Sequence, residues 1–315
     1  AGNSNAAEYV INICIKPGQD LTAPVIGKVV PKTGYVGFNS TEKFVQFYTN
    51  EPAECMYDEI DRDYELMQNK ALCNNAINSG TSDGWLCSAS FALGEGNEKT
   101  HYIRCKDQPW LEEDEDISND VRRNANSESF EYKLIKSAAE LKITSVKPDN
   151  EVISSGTEPV SVNLIVQTSG GVNGNALCQY SFNNNNFINF LETSSKVHKQ
   201  KFTGLFSGEY NIALMCKDEA DNVALENSEF KVDVDNLGPE ISRIYEQPSN
   251  VLNVITNENA ICASSLTSCN FNFDEGVRLN GDGLIHTTDF ENFIYHIKCR
   301  DAFGNAGSCV SVSGG

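Results

Sequence analysis

The chain is short of positive charge and has no long apolar run. Lysine and arginine total 24 against 44 aspartates and glutamates, a formal net charge of −20. No basic patch offsets phosphate repulsion, so nucleic acid is excluded as an expected partner. No stretch approaches the roughly 18 consecutive apolar residues of a membrane helix, and no membrane span is expected. Histidine is scarce, and the four present (His101, His198, His286 and His296) are scattered. There is no nucleophile elbow, zinc-hydrolase helix or phosphate-cradling glycine loop. The chain therefore reads as non-enzymatic, with no catalytic residue assigned.

Cysteine, by contrast, is abundant at 11 residues, and its placement repeats. An early phrase occurs as Thr49-Asn-Glu-Pro-Ala-Glu-Cys55-Met-Tyr57, as Ala176-Leu-Cys178-Gln-Tyr180 and as Thr256-Asn-Glu-Asn-Ala-Ile-Cys262. A late phrase follows each: Tyr102-Ile-Arg-Cys105-Lys-Asp107, Leu214-Met-Cys216-Lys-Asp218 and Ile297-Lys-Cys299-Arg-Asp301. Apolar residues alternate with other residues ahead of each late cysteine, the period of a half-buried strand, and turn-forming residues follow it. Cysteines at repeat-equivalent positions read as a disulfide framework in an oxidising, extracellular setting. Zinc is disfavoured because no Cys-x2-Cys pair is present.

The repeats divide the chain into residues 1–19, 20–139, 140–236 and 237–315. The last three contain several short, turn-bounded strands each, which predicts an all-β protein of three sandwiches. The first sandwich carries an apparent insertion, residues 58–96, with its own candidate pair Cys73 and Cys87. A second insertion over residues 110–116 is an acidic run.

The units resemble the tandem immunoglobulin-like repeats of bacterial and archaeal surface proteins. The phrases carrying the resemblance are Thr22-Ala-Pro24 at an opening, Phe230-Lys-Val-Asp233 at a close, Cys-x-Tyr early and Cys-x-Asp late. The resemblance covers nearly the whole chain. It implies that the early and late cysteines sit on neighbouring strands of one sheet, where Cys55–Cys105, Cys178–Cys216 and Cys262–Cys299 would bridge. Cys269 and Cys309 complete the third unit.

Counting offsets from the late cysteine, Phe230, Val232 and Val234 form the closing strand of the second unit. The same offsets place no apolar strand in the third, so it is expected to lack its last strand. At the other end, residues 8–15 form a spare strand: Tyr9, Ile11, Ile13 and Ile15 alternate with Val10, Asn12 and Cys14. One strand short and one spare predict β-strand addition between copies, a head-to-tail homopolymer of pilus-like form at the cell surface. Cys14 is the odd cysteine. It would bond Cys309 or Cys269 of the next copy, or stay reduced while those two pair with each other.

Two other readings stand beside the filament. One is a surface adhesin or S-layer-type binding module, contacting a glycan or a neighbouring cell-surface ligand through Tyr57, Tyr64, Trp85 and Trp110. The other is a fragment of a longer multi-domain surface protein. No cofactor is expected; Ca²⁺ is the one candidate ion, on Asp218, Asp221, Asp233 and Asp235. Asn39-Ser-Thr41 is a glycosylation sequon.

Overall fold

The computed structural model describes residues 20–111, 123–248, 250–291 and 293–313. The expected all-β class is what it shows: 24 strands and three short 3-10 turns make up its elements. The strands form six sheets, two for each repeat, in the manner of immunoglobulin-like sandwiches. The strand of residues 8–15 and the acidic run beyond Leu111 lie outside the described residues.

In the first repeat, one sheet runs Ile26–Val30, Glu42–Thr49, Trp85–Ala92 and Leu72–Cys73. The other runs Tyr35–Val36, Phe130–Lys136, Glu98–Asp107, Ala53–Asp58 and Asn69–Lys70. The alternation of Phe47 with Tyr48 and of Cys87, Ala89 and Phe91 with Ser88 and Ser90 sends one set of side chains inward. Phe47, Phe91, Ile103 and Leu134 are fully buried there. Each such side chain contributes about 1.5–3 kcal/mol from area removed from water.

The expected insertion over residues 58–96 is corrected by Trp85–Ala92, which pairs along its whole length with Glu42–Thr49 and is a strand of the sandwich itself. The true excess is confined to the segment ahead of it. That segment is anchored by Asp58, whose carboxylate accepts from the amides of Glu59 (2.7 Å), Ile60 (3.3 Å) and Gln68 (3.2 Å). Arg104, itself buried, reaches Asp61 at 3.1 Å and Asp63 at 3.0 Å.

The second repeat has Lys142–Lys147, Val160–Ser169 and Val197–Leu205 in one sheet. Its other sheet orders Glu151–Ser155, Val223–Val234, Gly208–Lys217, Leu177–Ser181 and Ile188–Asn189. The third repeat has Ile241–Gln247, Val251–Thr256 and Ile285–Asp289 in one sheet, and Val277–Arg278, Ile261–Ser265, Ile294–Arg300 and Val310–Ser313 in the other. The chain separates into two compact units. One contains the first repeat through Leu141 with Gly170–Gly174 and Asp218–Asn222, and the other contains the remaining residues.

Five disulfides staple these sheets. Cys55–Cys105, Cys178–Cys216 and Cys262–Cys299 each join directly opposed residues of antiparallel strands, as Cys73–Cys87 does in the first repeat. Cys269–Cys309 is the fifth, and its two residues are not a strand pair.

The repeated phrases have a common structural purpose. Asp301 Oδ1 accepts from the amides of Phe303 and Asn305, both at 2.8 Å, and Asn305 Nδ2 donates to Asp301 Oδ2 and to the Asp235 carbonyl. Asp107 and Asn124 make the equivalent bonds, with Asn124 Nδ2 donating to the Asp20 carbonyl at 2.9 Å. In both places the late aspartate ties the turn to the segment that leads into its own repeat.

Candidate functional site

In the first two repeats the chain leaves its first strand at a proline, crosses to the opposite sheet and lies beside the last strand. After Pro31, Tyr35–Val36 pairs in parallel with Ile135 and Lys136. After Pro148, Glu151–Ser155 pairs in parallel with Phe230 through Val234. Beneath these covers Leu134 and Val232 are fully buried.

The third repeat differs. Its chain turns at Pro248 into Val251–Thr256, with no crossing strand among the described residues between them. Part of a last strand is nevertheless present, which corrects in part the expectation that none would be. Val310–Ser313 pairs antiparallel with Ile294 through Ile297. It stands at the edge of its sheet, with no described strand on its outer side. By its pairing Val310–Ser313 corresponds to Phe130–Lys133 and Glu226–Glu229, the stretches just ahead of those the crossing strands flank. Neither the flanked stretch nor a crossing strand is found among the described residues of the third repeat.

Between this edge and the first strand runs a groove whose apolar lining comes from Ile241, Ile244, Leu252, Phe290, Val310 and Val312. Leu252 and Phe290 form its buried floor, and Val310 and Val312 are half-buried. A strand edge of this kind carries backbone donors and acceptors with water as their only partner, the usual template for strand addition. A related groove in the first repeat, between Ile26 and Tyr132, is crossed at one end by Gly34, where an added Cβ would collide with the Lys133 carbonyl.

The outer face of the same edge holds a polar cluster. His296 Nδ1 lies 2.8 Å from Ser311 Oγ, and Cys269 Sγ lies 3.7 Å from each of them. Lys298, two residues along the His296 strand, donates to the Phe271 carbonyl at 3.0 Å. Cys269 and Cys309 are both partly exposed, whereas the other three repeat-spanning bridges are wholly buried.

The remaining histidines are packed. His101 stacks on Phe91 at 4.7 Å and shares a hydrogen bond with the Ala92 carbonyl, and burial holds it below the usual imidazole range. His198 sits between Thr168 Oγ1 and Thr193 Oγ1 and is lowered for the same reason. The Tyr132 hydroxyl donates to the Pro31 carbonyl at 2.8 Å, and burial pushes its pKa up to about 12.

The four aspartates put forward for Ca²⁺ are not brought together. Asp218 is filled by the amides of Val172, Ala220 and Asn222. Asp221 pairs with Lys43, and Asp233 with Lys231. Only Asp235 joins a carboxylate cluster, with Glu258 and Asp301, and Asp20, Glu51 and Asp107 form its counterpart in the first repeat. Within each cluster the ligand oxygens lie within 4.8 Å of one another. Glu51 and Glu258 are both raised above the ordinary glutamate range, first by burial and then by their aspartate neighbours. Oxygen-only sets of this kind suit a hard cation. Sequence reasoning missed both triads, although the repeated Thr-Asn-Glu phrase supplies the glutamate of each.

Of the aromatics offered for ligand contact, Tyr57 packs on Phe91 at 5.0 Å and Trp85 Nε1 donates to the Ala76 carbonyl at 3.1 Å. Tyr64 is half-buried beneath Lys106 Nζ, and only Trp110 is mainly exposed. Asn39 is exposed, and its side-chain amide donates to Glu140 Oε1 at 3.3 Å. No helix among the described residues is long and apolar enough to cross a membrane.

No known family profile matches the chain, and no curated protein matches it in sequence. Solved structures with similar architecture are tandem immunoglobulin and fibronectin type III domains. Part of a 1.5-MDa bacterial ice-binding adhesin concerned with host cell surface retention is 9% identical, with TM-score 0.37, over 94% of this chain and 98% of that one. The fibronectin(III)-like modules of Clostridium thermocellum CbhA are 10% identical, with TM-score 0.36, over 67% and 93%. Immunoglobulin domains 1–5 of Sidekick-1 are 12% identical, with TM-score 0.34, over 93% and 58%. Likeness at this level is one of general architecture.

Proposed function

We propose that the chain is a non-catalytic structural subunit of an extracellular, pilus-like surface filament, joined head to tail by strand addition. Residues 8–15 of one copy complete the third sandwich of the next. The observation that carries this reading is the edge of Val310–Ser313, which has no described strand on its outer side and borders an apolar groove. Tyr9, Ile11, Ile13 and Ile15 supply the apolar face such a groove accepts. A contact between unlike surfaces repeats without closing and builds a filament. Ten cysteines in disulfides support an oxidising, extracellular location.

A second reading, a surface adhesin module, is favoured by the segment ahead of Trp85. There Ile60, Leu66, Leu72 and Ile77 are all more than half exposed, an apolar display suited to a binding partner. Deleting residues 1–16 separates the two. Under the filament reading, negative-stain electron microscopy shows uniform fibres for the full chain and none for the truncated one. Fibres that persist after truncation, or a full chain that stays monodisperse, would contradict it.

A further inference from the structure

The strand-addition reading, on which this inference rests, leaves open the direction of the added strand and the fate of Cys14. Both are fixed by one register. The inward residues of the acceptor edge are Val310 and Val312, and the outward ones are Cys309, Ser311 and Ser313, as the contacts of Ser311 with His296 and Cys269 show. An antiparallel donor with Ile13 opposite Val310 places Ile11 opposite Val312, both facing the groove. That same register places Asn12 opposite Ser311 and Cys14 opposite Cys309 on the outer face. A parallel donor with Cys14 opposite Cys309 would instead set Ile11 and Ile13 beside residues preceding Val310, away from the edge strand.

Directly opposed cysteines on antiparallel strands are the geometry this protein uses for four of its disulfides. The ten cysteines other than Cys14 are all paired, so Cys14 has no thiol partner left within its own chain. Cys309 is already bonded to Cys269, in a bridge that joins no strand pair and has both residues partly exposed. Access and a stabilised leaving thiolate are what disulfide exchange requires.

We infer that residues 8–15 of a second copy add antiparallel to Val310–Ser313 and that Cys14 then displaces Cys269 from Cys309, locking the joint covalently. The Cys14 thiolate attacks Cys309 Sγ. The Cys14–Cys309 bond forms, the Cys269–Cys309 bond breaks, and the electron pair leaves on Cys269 Sγ. That sulfur has His296 Nδ1 and Ser311 Oγ 3.7 Å away, polar groups able to donate hydrogen bonds to the thiolate. One thiol is consumed and one is released, so no external oxidant is needed.

The test uses the full chain, assembled without reductant and quenched with iodoacetamide, beside the Cys14→Ser variant. For the native chain the expected result is a ladder of oligomers in non-reducing denaturing gels that collapses with reductant. Peptide mass spectrometry should then find a Cys14–Cys309 cross-link with Cys269 alkylated. Cys14→Ser should still give fibres by electron microscopy but no ladder. Fibres whose Cys269–Cys309 bond is intact and whose Cys14 is alkylated would overturn the exchange while leaving strand addition standing. A Cys14–Cys14 link would overturn the register. Absence of fibres from both chains, with unchanged circular dichroism, would overturn strand addition and the exchange with it.

Discussion

The second and third sandwiches begin from the same plan and differ at one edge. In the second, Glu151–Ser155 runs beside the last strand; Val232 is sealed and Phe230 is 4% exposed. In the third, the first strand continues to Gln247 and turns back, and Val310 and Val312 stay half-buried at an open edge. The difference lies in two segments, the crossing strand Glu151–Ser155 and the Phe230–Val234 stretch it flanks, neither of which has a described counterpart in the third. The cores are stapled alike by Cys178–Cys216 and Cys262–Cys299. Among its described residues the third sandwich therefore lacks a two-strand corner that the second supplies from its own chain.

The largest expected effect comes from erasing the difference. Grafting residues 148–155 of the second repeat after Gln247, together with residues 230–234 after Ser313, should restore that corner and abolish fibres while raising the melting temperature of the monomer. If fibres persist with the graft in place, the open edge is not the acceptor. Next, Val312→Glu sets a charge in the groove at a half-exposed site. It should leave the monomer folded by circular dichroism and weaken assembly by about 2–3 kcal/mol, a loss of roughly 30- to 150-fold in affinity. Removing a staple acts on stability instead. Cys178→Ala with Cys216→Ala opens a 38-residue separation and should cost the second sandwich about 2–4 kcal/mol, read by chemical denaturation.

The smallest effect concerns pH. The Glu258 carboxyl is raised in the folded chain by burial and by Asp235 and Asp301. Its contribution is therefore favourable below the unfolded glutamate value near 4.5 and is lost as pH rises through the higher folded value. Glu258→Gln should raise the melting temperature slightly at neutral pH and leave it unchanged in acid. Equal shifts at both would mean that the triad carries no such repulsion.

Much of the fold was legible because alternation and repetition are strong signals. Val160–Ser169 alternates buried and exposed residues almost without break, and the paired cysteine phrases mark neighbouring strands. Four features are not legible. Trp85–Ala92 was absorbed into an apparent insertion because its inward residues include Cys87 and Ala89, small side chains that weaken the period. Tyr35–Val36 is too short to show any period, so the crossing strand went unseen. The last strand of the third repeat is hard to see because its four residues correspond to Glu226–Glu229, the polar middle of Val223–Val234, and only Val310 and Val312 carry a period. A shortened last strand in the third repeat is suggested by strand counting, but the lack of a described crossing strand there is a matter of chain path. The carboxylate triads were hidden because each draws its members from three separate segments.

The most direct measurement is amide hydrogen exchange at Val310–Ser313 in a chain beginning at residue 17, with and without a synthetic peptide of residues 8–15. Strand addition predicts that the peptide slows exchange at the outward-facing amides of this strand and leaves Val223–Val234 unchanged. Exchange that is identical with and without saturating peptide would contradict the central claim that this edge is the acceptor.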